Sequence, residues 1–161
     1  MAKKEEKTNV MRMLEKEGVP YTPHTYAHND GRIDGLAVAE KLGQDPARVF
    51  KTLVTRGADK TYCVFVIPVG AELDLKKAAR AAGQKSVAML PVADLLQVTG
   101  YVRGGCSPLG MKKPYCTVLD QSALAGDTMM VSAGKVGFQV ELAPRALLAL
   151  CSGAVAPLTA R

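Results

Sequence analysis

Long apolar runs are missing from this sequence, and none reaches the roughly 18 residues that a membrane-spanning helix needs. The first ten residues, MAKKEEKTNV, also lack the apolar centre of a secretory signal peptide. Both absences argue against export and against a membrane partner. We therefore expect a cytoplasmic protein.

Cysteines are few and scattered. The four of them, Cys63, Cys106, Cys116 and Cys151, show no CxxC or CxxH spacing. This pattern indicates neither a zinc site nor a disulfide framework. We expect reduced, mostly buried thiols, no metal site and no organic cofactor.

Other signatures are also absent. No GxGxxG motif follows the first predicted strand, which disfavours a doubly wound dinucleotide-binding fold. There is no internal repeat and no low-complexity linker. With 161 residues, 48% hydrophobic and 22% charged, the chain is expected to form one domain over residues 1–161.

Acidic residues are outnumbered, with 15 Asp and Glu against 21 Lys and Arg, and the net charge is +6. Clustered basic side chains gain affinity for polyanions because they release counterions from phosphates. Many basic proteins bind no nucleic acid, so the net charge alone does not decide whether this protein binds one.

Capping residues and apolar spacing predict five helices. Thr8 precedes apolar residues spaced i, i+3 and i+4, and Asp34 and Asp74 precede two further helices. Glycines and prolines mark the other limits. The predicted helices lie at 8–18, 35–43, 75–83, 91–100 and 144–151, with a short helical turn from Asp45.

β-Branched and alternating segments predict about seven strands. Two of them, FKTLVTR and TYCVFVIPV, are separated by GADK and are typical of an antiparallel hairpin. The predicted strands lie at 21–28, 50–56, 61–69, 86–90, 115–120, 128–134 and 136–142. We expect an α+β fold whose mixed, largely antiparallel sheet curls into a barrel flanked by short helices.

The loop YVRGGCSPLGMKKPY, at 101–115, separates two predicted elements. Its glycines allow the backbone to approach a ligand closely and to aim N–H groups at an oxygen. The alternative is a wide connection that needs glycine and proline only for its turns.

A resemblance to a known family favours the ligand-binding alternative for this loop. The segments HTY, KLG, VFKTLV, LDLKKAA, TGYVRGGCSPLGMKK and VSAGKVGFQVEL occur in this order. From about Thr8 to about Leu150, the chain resembles the YbaK family of Cys-tRNA(Pro) deacylases. This likeness implies a barrel fold and a freestanding trans-editing factor, related to the editing domain of prolyl-tRNA synthetases, that hydrolyses the ester of mischarged tRNA.

The resemblance also implies site residues. Lys51 of VFKTL is the expected catalytic residue, placed to contact the ester carbonyl or the terminal adenosine phosphate. Gln139 stands where an aspartate is expected, which affects how the substrate amino group is held. The expected substrate-binding residues are Tyr26, Gly104, Gly105, Ser107, Pro108, Gly110, Ser132, Gly134 and Gln139.

Basic residues near the loops are candidates for contacts with tRNA phosphates, which set affinity and not amino-acid choice. The candidates are Arg103, Lys112, Lys113 and Lys135, with Lys76 and Lys77 also near loops. The implied partners are the acceptor end of tRNA(Pro) and, transiently, prolyl-tRNA synthetase. We expect a monomer.

The nucleophile has two candidates. The resemblance implies that the substrate's own cysteine thiol attacks its ester, so that the protein supplies none. Cys106 is the rival, but both histidines lie in or just after the first predicted strand, and no base lies near it in sequence. We expect Cys106 to be a small apolar side chain that points inward.

Three functions fit this sequence. The favoured one is hydrolysis of Cys-tRNA(Pro). A related enzyme that clears alanine or serine from tRNA is the first alternative. A catalytically silent module that binds tRNA or a nucleotide is the second, and the intact VFKTL motif argues against it.

Overall fold

The computed structural model describes residues 6–160, which form five α-helices, one 3₁₀ helix and eight strands. The helices are α1 Asn9–Lys16, α2 Gly35–Leu42, α3 Leu75–Ala81, α4 Val92–Thr99 and α5 Pro144–Cys151, with the 3₁₀ helix at Gln121–Ala125. The strands are β1 Thr22–Thr25, β2 Phe50–Gly57, β3 Tyr62–Pro68, β4 Val87–Met89, β5 Cys116–Asp120, β6 Met129–Ser132, β7 Phe138–Leu142 and β8 Ala154–Ala156.

The helices begin at the capping residues that the sequence indicates. The side chains of Thr8, Asp34 and Asp74 each accept a backbone N–H from the first turn of α1, α2 and α3. Gly43 and Gly100 take left-handed backbone conformations at the ends of α2 and α4. Five predicted helices are thereby confirmed.

The strands form two sheets. The larger has the order β4-β2-β3-β5-β8 and the smaller the order β1-β7-β6. β2 and β3 form the predicted antiparallel hairpin, with β3 inside its sheet, whereas β5 pairs with β3 and β8 in parallel. Among the described strands, β1, which contains Pro23, pairs only with β7 and is the predicted edge strand.

The prediction that the sheet curls into a barrel is wrong. Within residues 6–160, the two edge strands of the larger sheet, β4 and β8, do not pair with each other, and neither sheet is closed. The sheets are linked by a parallel bridge between Val49 and Met130, which lie next to β2 and in β6. A barrel needs an unbroken ring of strand ladders, and a bridge at one residue pair does not supply it.

Two elements were not predicted, namely the 3₁₀ helix and β8. The buried carboxylate of Asp120 holds both. One of its oxygens accepts the N–H of Leu158 at 3.0 Å, and the other accepts the N–H of Ser122 at 3.1 Å and the hydroxyl of Ser122 at 2.5 Å. These bonds fix the chain just after β5 and just after β8, its partner strand.

The helices pack on the sheets in separate apolar clusters, and the cluster of α1 and α5 also contains Phe50, Val66 and Leu119 of the larger sheet. α1 and α5 bury Val10, Leu14 and Leu147 in one apolar cluster with Val131 and Val140 of the smaller sheet. α3 packs Ala78 and Ala79 with apolar side chains of the larger sheet. In the described part of the chain, no helix has the length and apolar character needed to cross a membrane.

We predict that Asp120→Asn destabilises the fold, because an amide nitrogen then faces the N–H donors that the carboxylate satisfies. The expected loss is about 2 kcal/mol in the free energy of unfolding, measured by urea denaturation. Asp127 is exposed and lies between the 3₁₀ helix and β6. Asp127→Asn is therefore the matched control, because it makes the same chemical change at the surface. Equal stability of the two variants would contradict this role.

Candidate active site

The two sheets join at the residues just before β2. Arg48 O accepts the N–H of Met130 at 2.9 Å, and Val49 O accepts the N–H of Val69 at 2.9 Å. The Arg48 guanidinium also donates to Ser122 O and to Thr128 O, each at 2.8 Å. Backbone and side chain of this short segment therefore tie both sheets together.

A cavity of about 410 Å³ lies beside this junction. Its volume is within the range of small-ligand sites. Separate chain segments line it: the end of β1, the start of α2, the start of β2, the loop after α4, and β6 with β7. Among its lining residues are Tyr26, Lys51, Arg103, Gly104, Cys106, Ser132 and Gln139, so one cavity brings together much of the expected site.

Lys51 follows the buried Phe50 at the start of β2 and is itself half-buried. Burial lowers the pKa of the Lys51 ammonium, and the nearby charge of Glu72 opposes this shift. The Lys51 ammonium forms no salt bridge with the described residues. A partly dehydrated ammonium without a bonded counter-ion is available to interact with an oxygen of a ligand.

Three buried polar atoms on residues that line the cavity have no hydrogen-bond partner among the described residues. They are Tyr26 Oη, Thr52 Oγ1 and Gln139 Oε1. Native structures pair most of their buried polar atoms, and each unpaired one is destabilising. Their concentration at one cavity indicates a place where a ligand supplies the missing partners.

The loop after α4 contributes Gly104 to the cavity wall. Gly104 has φ +86°, and a Cβ there would lie 2.8 Å from Ile33 Cδ1. The next residue, Gly105, is buried, and a Cβ on it would lie 3.2 Å from Val136 N. The loop therefore faces the turn between β6 and β7.

Two other glycines of the expected site surround Tyr101 instead. A Cβ on Gly110 would lie 2.8 Å from Tyr101 Oη, and one on Gly134 would lie 2.9 Å from Tyr101 Cε1. Tyr101 Oη donates to Leu109 O at 2.5 Å. Burial raises the pKa of Tyr101 to about 12. Gly110 and Gly134 leave room for this ring and do not line the cavity.

Ser107 and Pro108 are buried and also lie off the cavity wall. The Ser107 hydroxyl accepts the N–H of Leu109 at 3.2 Å, so it shapes its own turn. Together with Gly105, Gly110 and Gly134, these residues support the loop at a distance from Lys51.

The basic candidates are spread over the surface. Arg103 is exposed and lines the Lys51 cavity. Lys112 and Lys113 line a second cavity, and Lys112 Nζ donates to Gln97 O at 3.1 Å. Lys135 pairs with Glu6 and lies over the Phe138 ring. Arg103 alone of the four expected tRNA contacts therefore joins Lys51.

Cys106 lines the cavity and packs against the apolar cluster of Val54, Val64 and Val98. Burial raises the pKa of its thiol to about 11, so the reactive thiolate is scarce at neutral pH. Neither histidine lines the cavity, and His24 lies 2.9 Å from Glu141 Oε1.

The start of α2 also lines the cavity, and no motif predicted its contribution of Ile33, Asp34, Gly35 and Leu36. Asp34 was recognised only as a cap. Thr52 was also missed as a site residue, although it stands inside the VFKTL motif beside Lys51.

Residues 35–150 match the family described as the aminoacyl-tRNA editing domain. This match spans more than half of the chain, so the chain belongs to that family. EbsC of Enterococcus faecalis is 49% identical over 163 residues, which cover 100% of this chain and 99% of EbsC. Its name describes a candidate Cys-tRNA(Pro)/Cys-tRNA(Cys) deacylase. These matches confirm the family resemblance drawn from the motifs.

Two further proteins similar to this chain have prolyl-tRNA synthetase activity or its editing in their names. The proline–tRNA ligase of Ralstonia pickettii is 28% identical over 115 residues, covering 69% of this chain and 20% of the ligase. A crystal structure described as a candidate trans-editing enzyme for prolyl-tRNA synthetase has a TM-score of 0.80 at 24% identity. It covers 94% of this chain and 95% of that chain, and the likeness shows a shared fold.

The two tyrosines give a matched stability test. Tyr101→Phe removes a paired hydroxyl and is expected to lower the free energy of unfolding by about 1 kcal/mol. Tyr26→Phe removes an unpaired buried hydroxyl, so stability should be unchanged or rise by up to about 1 kcal/mol. Urea denaturation of both variants checks this, and a larger loss at Tyr26 than at Tyr101 would show that Tyr26 Oη has a partner.

Proposed function

We propose that this editing domain, over residues 1–161, is a freestanding deacylase that hydrolyses Cys-tRNA(Pro). The observation that carries the proposal is the Lys51 ammonium in a cavity that also has three unpaired buried polar atoms. The family and the full-length relative EbsC, named as a candidate Cys-tRNA(Pro)/Cys-tRNA(Cys) deacylase, support the reaction class.

Lys51 acts on the ester. An aminoacyl-tRNA ester is already activated, so the site mainly needs to orient it and stabilise negative charge on the carbonyl oxygen. The ammonium of Lys51 supplies that charge from the start of β2, and the backbone of the loop at Gly104 borders the same space.

The nucleophile belongs to the substrate. The cysteine thiol attacks its own carbonyl carbon, a C–S bond forms, and the ester C–O bond breaks. The proton that the thiol loses ends on the ribose oxygen as it leaves, and water then hydrolyses the strained four-membered thiolactone to free cysteine. Burial of Cys106 supports this scheme, because it raises the pKa of the protein's own cavity thiol to about 11 and makes that thiol a poorer source of thiolate than an exposed one.

The cavity binds the acceptor end of tRNA(Pro), with Arg103 at its edge placed for phosphate contact. Lys112, Lys113 and Lys135 contact phosphates further from the ester. The protein works as a cytoplasmic monomer, associates transiently with prolyl-tRNA synthetase, and uses no metal or organic cofactor.

Lys51→Ala is predicted to lower kcat/KM for Cys-tRNA(Pro) roughly 100-fold, the usual effect of losing one preorganised charge-stabilising group. Lys85 is exposed and outside the cavity, so Lys85→Ala is the matched control. Deacylation of charged tRNA measures both variants. A folded Lys51→Ala protein with wild-type turnover would remove Lys51 from the reaction.

Cys-tRNA(Pro) should be cleaved at least ~100-fold faster than Ser-tRNA(Pro), a difference of about 2.7 kcal/mol in transition-state energy. The seryl ester is nearly isosteric, but its hydroxyl is a much weaker nucleophile than a thiol. Rates for the two charged tRNAs measure the difference. Equal rates would favour water as nucleophile and the broader small-residue deacylase, and cleavage of neither would favour the silent binding module.

A further inference from the structure

The Lys51 cavity has an uneven set of charges. Of the described residues that line it, Lys51 and Arg103 are cations and Asp34 is the sole carboxylate. The proposed substrate brings a further positive group, the α-ammonium of the aminoacyl ester. An ammonium that enters a space with two cations is favoured only where an anion lies within reach.

Asp34 has one oxygen free for such a contact. It stands before α2, and its Oδ1 accepts the N–H of Ala37 at 3.0 Å. Its other oxygen has no hydrogen bond or ion pair with residues 6–160. The capping bond fixes the carboxylate at the cavity, so little side-chain freedom is lost when the free oxygen binds.

Gln139 offers a second acceptor to the same cavity. Its side chain is 6% exposed, and its Oε1 has no partner among the described residues. A neutral amide oxygen accepts a hydrogen bond from an ammonium but does not offset its charge. The cavity therefore has a buried acceptor from β7 and a charged acceptor from the start of α2.

We propose that Asp34, together with Gln139 Oε1, binds the α-ammonium group of the aminoacyl ester, an inference that rests on the proposed deacylase function. Asp34 supplies the counter-charge and Gln139 the buried hydrogen bond. With the ammonium fixed on this side, the carbonyl oxygen is free to face Lys51. The site thus selects esters that carry a free amino group over esters without one.

The test compares two substrates that differ only in this group: Cys-tRNA(Pro) and the 3-mercaptopropionyl ester of the same tRNA, which keeps the thiol and lacks the amine. Asp34→Asn removes the charge but keeps a residue that caps helices as well as aspartate does. Asp74→Asn is the matched control, because Asp74 caps α3 in the same way and does not line the cavity.

Asp34 is exposed, so Asp34→Asn is expected to lower kcat/KM for Cys-tRNA(Pro) by about fivefold, the upper end of what an ion pair at an exposed site contributes. The desamino ester should be cleaved at the same rate by wild type and variant. Asp74→Asn should change neither rate. Asp34→Ser, a second uncharged cap, should reproduce the result and replaces Asp34→Asn if that variant does not fold.

The other outcomes overturn the assignment in distinguishable ways. Wild-type cleavage of Cys-tRNA(Pro) by folded Asp34→Asn would show that Asp34 does not bind the amine. An equal loss on both esters would show that Asp34 only shapes the start of α2. Failure of the wild type to cleave either ester would refute the deacylase function, and the amine site with it.

Discussion

The backbone junction at Arg48 and Val49 is the constraint on which the rest of the structure depends. Within residues 6–160, it bridges two sheets that are otherwise separate ladders, through Val49 and Met130. The Arg48 guanidinium adds bonds to the carbonyls of Ser122, Ala123 and Thr128. Lys51 lies three residues after Arg48, so its position relative to β6 and β7 is set by this junction. The same contacts therefore join the sheets and align the two walls of the cavity.

Local chemistry in the sequence predicted the helices and most strands, because caps, glycines and alternation act within a few residues. The prediction of a barrel was wrong because closure of a sheet depends on pairing between strands far apart in sequence. Local sequence patterns do not indicate such pairing. β8 was missed for a related reason. Its three residues, Ala154–Ala156, gain their order from pairing with β5 and from the bond between Asp120 and Leu158, and not from their own propensity.

The candidate site was partly predictable. Lys51 and Tyr26 were found because they stand in recognisable motifs, and the structure brings both to one cavity. Gly110 and Gly134 belong to equally recognisable motifs, yet they make room for Tyr101. A sequence motif contains residues that bind a ligand and residues that only allow packing, and the motif alone does not distinguish the two. Asp34 carried only a capping signal, and its place on the cavity wall depends on how α2 packs against the junction at Val49 and Met130.

The sequence positions of the residues that line the cavity determine when the site is able to form during translation. Its residues run from Tyr26, near the start of the chain, to Gln139 in β7. Contacts of such wide sequence separation form late, after the entropy of closing the long intervening loops has been overcome. A nascent chain that ends before β7 has the hairpin and Lys51 but lacks one wall. The protein therefore acquires its binding site only after translation has passed Gln139 and β7 is able to pair.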